Sequence, residues 1–155
     1  MPSARAILFP LIVLVALALG ACGGGDGRLS KEEYEDKVRS VYAEVQEAFA
    51  RTNVAPEELA DRVEAAQEQL REAADELEDM QPPEEVEAEN AQIVLGMRAY
   101  AEDLDRLRNA AEQGDERTIE DFNARLAQNE SVEQIGAAAE RMKFKGYDLG
   151  PIAEE

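Results

Sequence analysis

The sequence predicts an all-α protein, an up-down-up-down antiparallel four-helix bundle with coiled-coil-like seams. Three observations predict it. Apolar residues recur at alternating steps of three and four along four segments, which keeps one face of a helix buried. Proline and glycine separate these segments, and the short connections force neighbouring helices to run antiparallel. An extended coiled coil between chains is the alternative. The proline and glycine residues between the helices favour folding back within one chain instead.

Helix 1 is expected to begin at Ser30, because Ser30 and Glu33 match a capping box, in which each side chain accepts from the other residue's backbone amide. Leu29 and Tyr34 can form the accompanying hydrophobic staple. A turn is expected at residues 52–55. The seam positions of this helix are Tyr34, Val38, Val41, Val45 and Ala48.

Helix 2 is expected to begin at Pro56, since proline suits the first helical position, and to stop at residues 81–83, which read Gln-Pro-Pro. Helix 3 is expected from about Pro83 to Gln113, with Gly114 as its cap. The helix 2 seam is Leu59, Val63, Ala66, Leu70, Ala73, Leu77 and Met80. The helix 3 seam is Val86, Asn90, Ile93, Met97, Tyr100, Leu104, Leu107 and Ala111.

Asn90 is the polar member of the helix 3 seam. A polar residue at such a position usually fixes the register between helices or meets water near a helix end. We therefore expect a structural role for Asn90 and no functional one.

Helix 4 is expected to begin after Asp115 and to contain a weak point near Asn129. Ser131 and Gln134 match a second capping box, so the pattern leaves a kink or a split at that point open. Its apolar positions are Ile119, Phe122 and Leu126 before the break and Val132, Ile135, Ala139 and Met142 after it.

Residues 1–21 have the composition of an export signal. Arg5 is their one charge, and an apolar run follows from Ala6 to Leu19. This run is shorter than the about 20 residues that a bilayer-spanning helix needs. A basic start, an apolar middle and a small-residue end therefore predict a signal peptide and not a permanent span.

The end of this segment, Leu19-Gly20-Ala21-Cys22, resembles the lipobox of bacterial lipoproteins. The resemblance covers the first 22 residues. It implies that the Cys22 sulfur receives a diacylglycerol, that the signal is cleaved before Cys22, and that acyl chains such as palmitate hold the protein on the membrane. Ordinary signal cleavage with a free or buried Cys22 is the alternative. Lipidation accounts for the chain's single cysteine, which has no partner for an internal disulfide.

The predicted organisation has four parts. These are a signal peptide over 1–21, a lipidated cysteine with a flexible glycine-rich tether over 22–29, a bundle over 30–146 and a C-terminal tail over 147–155. Two acyl chains are what stable membrane attachment requires. We therefore expect an exported protein that is lipid-anchored in the bacterial cell envelope.

Charge restricts the partners. The chain has 35 acidic and 16 basic residues, a net charge of -19, and no basic stripe for nucleic acid. Its expected partners are membrane lipid, through acylated Cys22, and an envelope protein with a basic surface. Residues 72–97 hold acids and no base, which is typical of a solvated helix end; head-group repulsion and cation binding are alternatives, although no EF-hand spacing is present.

Gly96 and Gly136 are predicted to fall near the same level of helices 3 and 4. Each glycine costs a helix interior about 1 kcal/mol relative to alanine, so each calls for a packing or functional reason. One explanation is close helix–helix packing, and the other is a slot for an apolar ligand. Tight contact without a cavity would exclude the slot.

No catalytic chemistry is predicted. The chain has no histidine, and it contains no GxSxG, P-loop or GxGxxG motif. We therefore expect a protein that is not an enzyme and that uses no cofactor or metal. The favoured function is a protein-interaction module; a binder of a small apolar ligand or cation between the helices and a passive structural spacer are the alternatives.

Overall fold

The computed structural model describes residues 27–50 and 56–153. Across these two ranges the regular structure is helical, without strands, so the prediction of an all-α helical bundle is confirmed. The α-helices are α1 (Lys31–Ala50), α2 (Pro56–Asp79), α3 (Glu87–Gln113), α4 (Glu116–Arg125) and α5 (Glu130–Phe144). Short 3-10 turns occupy Glu84–Val86, Leu126–Gln128 and Gly150–Ala153.

The predicted seams of α1, α2 and α3 form one hydrophobic core. Alternating steps of three and four residues point these side chains inward, and most of them are buried. The partly buried exceptions lie at helix ends and are Ala48, Leu59, Met80 and Ala111.

Helix α3 is central, because it packs against α2, α4 and α5, while α1 packs against α2. The contacts along α2 and α3 run in opposite order. Leu77, near the end of α2, meets Asn90, near the start of α3, and Gln67, earlier in α2, meets Ala101. The amide of Gln67 is buried and donates to the carbonyl of Ala101 at 2.6 Å and to Oδ1 of Asp105 at 2.9 Å.

Three predicted helix boundaries are confirmed by their caps. The Ser30 amide donates to Glu33 Oε2 at 2.9 Å, and the Glu33 amide donates to Ser30 Oγ at 3.3 Å. These hydrogen bonds favour the carboxylate and lower the pKa of Glu33. Gly114 ends α3 in the left-handed conformation, and Asp115 caps α4 by accepting from the Thr118 amide at 3.1 Å.

The fourth predicted helix is split. A 3-10 turn separates α4 from α5, and Asn129 caps α5 by accepting from the Val132 amide at 3.1 Å. The predicted capping box at Ser131 and Gln134 is therefore wrong. Ser131 lies inside the helix that Asn129 caps, and its hydroxyl donates to Asp103 Oδ2 on α3 at 2.9 Å, which makes a contact between helices.

Helix α4 lies at the edge of the bundle and has no buried residue. Ile119 and Phe122 are partly buried against the core, whereas Leu126 is exposed. After the break, Ala139 and Met142 are buried as the seam predicts.

The predicted C-terminal tail is wrong for residues 147–153. Tyr147, Leu149 and Ile152 are buried members of the core. Arg39 donates to the Asp148 carbonyl at 2.6 Å. The segment has no helical periodicity to reveal its burial; it turns at Gly146 and Gly150, both at positive φ, and packs beside α1.

The last residues of the predicted tether are also fixed to the bundle. The Leu29 amide donates to the Gln81 carbonyl at 2.8 Å, and Arg28 donates to the Pro82 carbonyl at 2.9 Å. The predicted signal peptide, the lipobox with Cys22, and the turn at 52–55 lie outside the described residues.

Candidate interaction groove

An open groove of about 560 Å³ lies where the chain enters the bundle beside the turn between α2 and α3. Leu95 is its most exposed apolar side chain, with 59% of its surface accessible. The helical period explains this exposure, since Ile93 and Met97 point into the core and Leu95 lies between them. The apolar lining consists of Met80, Pro82, Ala91, Val94 and Leu95.

Arginine–carboxylate pairs border the groove. Arg28 contacts Glu87 at 2.9 Å. Arg98 donates to both carboxylate oxygens of Glu78, at 3.0 and 2.7 Å, and to Asp75 at 2.6 Å. The Arg98 guanidinium lowers the pKa of Glu78, and the two carboxylates raise the pKa of Arg98. The rim is therefore charged, with its groups held in fixed pairs.

Asn90 lies at the base of the groove and is buried. Its Oδ1 accepts from the Tyr34 hydroxyl at 2.8 Å, and its Nδ2 donates to the Leu77 carbonyl at 2.8 Å. Burial raises the pKa of Tyr34, so the phenol stays protonated and remains a donor. The side chain connects α1, α2 and α3, which is the structural role predicted for it.

The two glycines do not form a shared slot. A Cβ built on Gly96 would lie 2.6 Å from Cγ1 of Ile135 and 3.1 Å from the Ser131 carbonyl oxygen, so α3 and α5 are in close contact there. At Gly136, no side chain and no other element lies within 4 Å of the corresponding position. Close packing therefore explains Gly96, and the structure contradicts the apolar slot at the Gly96–Gly136 level.

A second, more polar cleft of about 660 Å³ lies between α3 and the break that separates α4 from α5. Phe122 and Leu126 give it an apolar side, and Arg106 and Arg125 contribute positive charge. Asp103 holds the break in place, because its Oδ2 accepts from both Ser131 Oγ and Asn129 Nδ2 at 2.9 Å.

Basic residues at the end of α5 meet acidic residues at the start of α3. Lys145 Nζ donates to Glu89 Oε1 at 2.7 Å and to the Glu85 carbonyl at 2.6 Å, and Arg141 lies 4.0 Å from Glu89. The hydrogen bond from Lys145 lowers the pKa of Glu89, although burial opposes this shift. Phe144, between these basic residues, is 91% exposed.

Within residues 27–50 and 56–153, no group of carboxylates or other metal-binding side chains is arranged to hold a metal ion. The acidic residues between 72 and 97 therefore form no such group either. In the same described part of the chain, no helix combines the length and the apolar character needed to cross a bilayer.

Residues 28–134 match a family described as a domain of unknown function, DUF7018. The chain belongs to this family. The DUF7018 match begins at Arg28, where the chain joins the bundle, and ends within α5, before the basic residues that surround Phe144. The groove beside Leu95 lies inside the DUF7018 region. Comparison with curated proteins gave no match, and comparison with solved structures gave none.

Sequence reasoning missed the groove, because residue type alone does not predict the burial of two of its members. Pro82 is buried although it lies in a polar turn, and Leu95 is exposed although it belongs to an apolar run from Ile93 to Leu95. The available signal was that run, in which one of three consecutive apolar residues must point away from the seam.

Proposed function

We propose that this chain is an exported lipoprotein of the bacterial cell envelope, anchored through acylated Cys22, whose helical bundle is a non-catalytic protein-interaction module. The observation that carries the interaction role is the open groove at Leu95. Exposed apolar surface with a charged rim is typical of binding sites, because burying it against a partner is favourable.

Membrane attachment is supported by the lipobox-like residues Leu19 to Cys22. Its test is Cys22→Ala, which removes the acylated sulfur and should move the protein from the membrane fraction to the soluble fraction. Retention of that variant on membranes after a high-salt wash would contradict the lipid anchor.

An up-down-up-down arrangement is part of the proposal. Its support is the opposite order of contacts along α2 and α3, together with the contact between Lys145 after α5 and Glu89 near the start of α3. In this arrangement the chain entry, the α2–α3 turn and the end of α5 share the membrane-facing end of the bundle.

The proposed occupant of the groove is a segment of an envelope protein that inserts one or two apolar side chains and carries basic residues on its flanks. The net charge of -19 favours a basic partner. The rim carboxylates Asp75, Glu78 and Glu87 are exposed enough to receive such charges while Arg98 and Arg28 hold them in position.

The test is photocrosslinking in cells from the exposed position 91 on the groove wall. One dominant protein adduct is expected, and Leu95→Glu should abolish it by placing a charge in the apolar surface. Leu126→Glu is the matched control, because Leu126 is also exposed but lines the other cleft. No adduct, or equal loss in both variants, would contradict the interaction role and favour a passive spacer.

The cleft at the α4–α5 break favours a second candidate function, the binding of a small ligand. Its mixture of Phe122, Arg106 and Arg125 with acidic side chains suits a polar molecule that has an apolar portion. Screening metabolite extracts for compounds that raise the melting temperature of the wild type but not of Arg106→Ala tests this candidate. Equal stabilisation of both proteins, or of neither, would exclude the cleft.

A further inference from the structure

Phe144 is the most exposed large apolar side chain of the described residues, with 91% of its surface accessible. Its exposure follows from helical geometry. Met142, two residues earlier, points into the core with 0% exposure, so Phe144 lies on a different face of the last turn of α5. A single exposed apolar side chain is common on protein surfaces, so the surroundings of Phe144 decide what it can contact.

The backbone around Phe144 is held rigidly. On its C-terminal side Lys145 donates to Glu89 and to the Glu85 carbonyl, and the Gly146 carbonyl accepts from the Lys31 ammonium group. The ring of Tyr147 packs edge-on against Tyr34 with centroids 6.0 Å apart. Phe144 therefore projects from a fixed platform that contacts both α1 and α3.

This platform lies at the end of the bundle where the chain enters. Lys31, which contacts Gly146, is the first residue of α1, and Leu29 just before it is bonded to Gln81 of the α2–α3 turn. Cys22 is five residues before Gly27, a distance of at most roughly 17 Å along a fully extended chain. A lipid anchor on Cys22 would therefore keep this end within reach of the membrane surface.

Three acidic residues at the start of α3 and in the turn before it have partners. Glu89 is paired with Lys145 and Glu87 with Arg28, and Glu85 accepts a 2.7 Å hydrogen bond from the Tyr147 hydroxyl. These pairs reduce the repulsion that unpaired carboxylates would exert on lipid phosphates.

We propose that Phe144 inserts into the lipid head-group region and gives the anchored bundle a second membrane contact. The occupant of this surface is thus a lipid bilayer. The inference rests on the proposed lipid anchor, because a single aromatic ring needs the anchor to hold it near the membrane. Two contacts, at Cys22 and at Phe144, restrict rotation of the bundle and give the Leu95 groove a defined direction relative to the membrane.

The chain has no tryptophan, so Phe144→Trp introduces a single tryptophan, whose emission is excited selectively over that of the tyrosines. The variant is purified from membranes as the full protein and reconstituted into phosphatidylcholine vesicles with and without bromine-labelled lipid. Leu126→Trp is the matched control. Leu126 is also exposed, but it lies in the turn between α4 and α5, away from the chain entry. We expect a blue-shifted emission and several-fold stronger quenching for Phe144→Trp than for the control.

Flotation of the same vesicles separates the two proposals. Protein that floats while its Phe144→Trp emission stays unquenched overturns the second contact and leaves the anchor intact. Protein that does not float contradicts the anchor instead. In that case the Cys22 thiol is coupled to a maleimide lipid, and the same quenching comparison then decides the role of Phe144. Circular dichroism of both variants confirms that they fold.

Discussion

The hydroxyl of Tyr34 donates a 2.8 Å hydrogen bond to Oδ1 of Asn90 and so joins α1 to α3 inside the core. The Nδ2 group of the same Asn90 side chain donates to the Leu77 carbonyl of α2. One buried side chain therefore sets the relative height of three helices, because a shift of any of them by one turn breaks at least one of these bonds.

Asn90→Ala should lower the free energy of unfolding by about 2–3 kcal/mol, because it removes two hydrogen bonds and leaves the buried Tyr34 hydroxyl without its oxygen acceptor. Tyr34→Phe removes one bond and should cost about 1 kcal/mol. Urea unfolding of both single variants and of the double variant measures the coupling. Strictly additive losses would contradict a direct interaction.

Gly96→Ala and Gly136→Ala should change stability in opposite directions. At Gly96 the added methyl group overlaps Ile135, and the overpacking cost of about 1–3 kcal/mol exceeds the roughly 1 kcal/mol gain in helix propensity. At Gly136 the methyl group meets open space, so α5 should gain about 0.5–1 kcal/mol. Thermal unfolding measures both. Destabilisation at Gly136 would show that the space there is not available.

Tyr147→Ala should destabilise the protein by about 3 kcal/mol, because a buried aromatic ring is lost from the core. Asp148→Ala is the matched control. Its side chain is 80% exposed and makes only an exposed hydrogen bond with the Gly150 amide and a 3.7 Å ion pair with Arg39, while its backbone contacts with Glu35 and Arg39 survive the substitution. A loss below about 1 kcal/mol is therefore expected. Equal free energies of unfolding for the two variants in urea would mean that residues 147–153 do not pack in the core.

The pair of Glu89 and Lys145 predicts a pH dependence with a definite sign. The folded pKa of Glu89 lies below its ordinary value of 4.5, so the pair contributes stability above that pH, which is lost as the pH falls through the folded pKa. Arg141 acts in the same direction, and the neutral Tyr34 phenol lies nearby. Glu89→Gln should cost about 1 kcal/mol at neutral pH.

The comparison of wild type with Glu89→Gln isolates this effect. Protonation of the other acidic residues changes both proteins alike, so only the difference between their free energies of unfolding is informative. We expect this difference to stay constant near neutral pH and to shrink as the pH falls below 4.5 and through the folded pKa of Glu89. A difference that stays constant would place the contribution of Glu89 in packing and not in its charge.

The helices were predictable because periodicity and caps are local properties of the chain. The Ser30–Glu33 box and the Gly114 cap depend on residues next to them, and both were confirmed. A structural role was predicted for Asn90, because a polar side chain inside an apolar seam must find a partner, but the sequence left open whether that partner is another helix or water.

What escaped prediction depends on contacts between distant residues. Ser131 matches a capping box, but its hydroxyl donates a hydrogen bond to Asp103 of α3 instead of capping α5. Tyr147 is buried because Tyr34 and Lys31 of α1 and Glu85 of the turn before α3 contact it, which no period within the segment reveals. The Leu95 groove likewise exists only once the α2–α3 turn and Arg28 are in place.

Helix α4 has consequences for how the molecule opens. It has no buried residue, and it is separated from α3 at Gly114 and from α5 at Asn129. Its contacts are with α3 and with the adjoining turn. Its detachment therefore exposes little apolar area and leaves the rest of the core closed. Amide hydrogens of α4 should exchange with solvent by local opening, long before those of α2 and α3, whose exchange requires global unfolding.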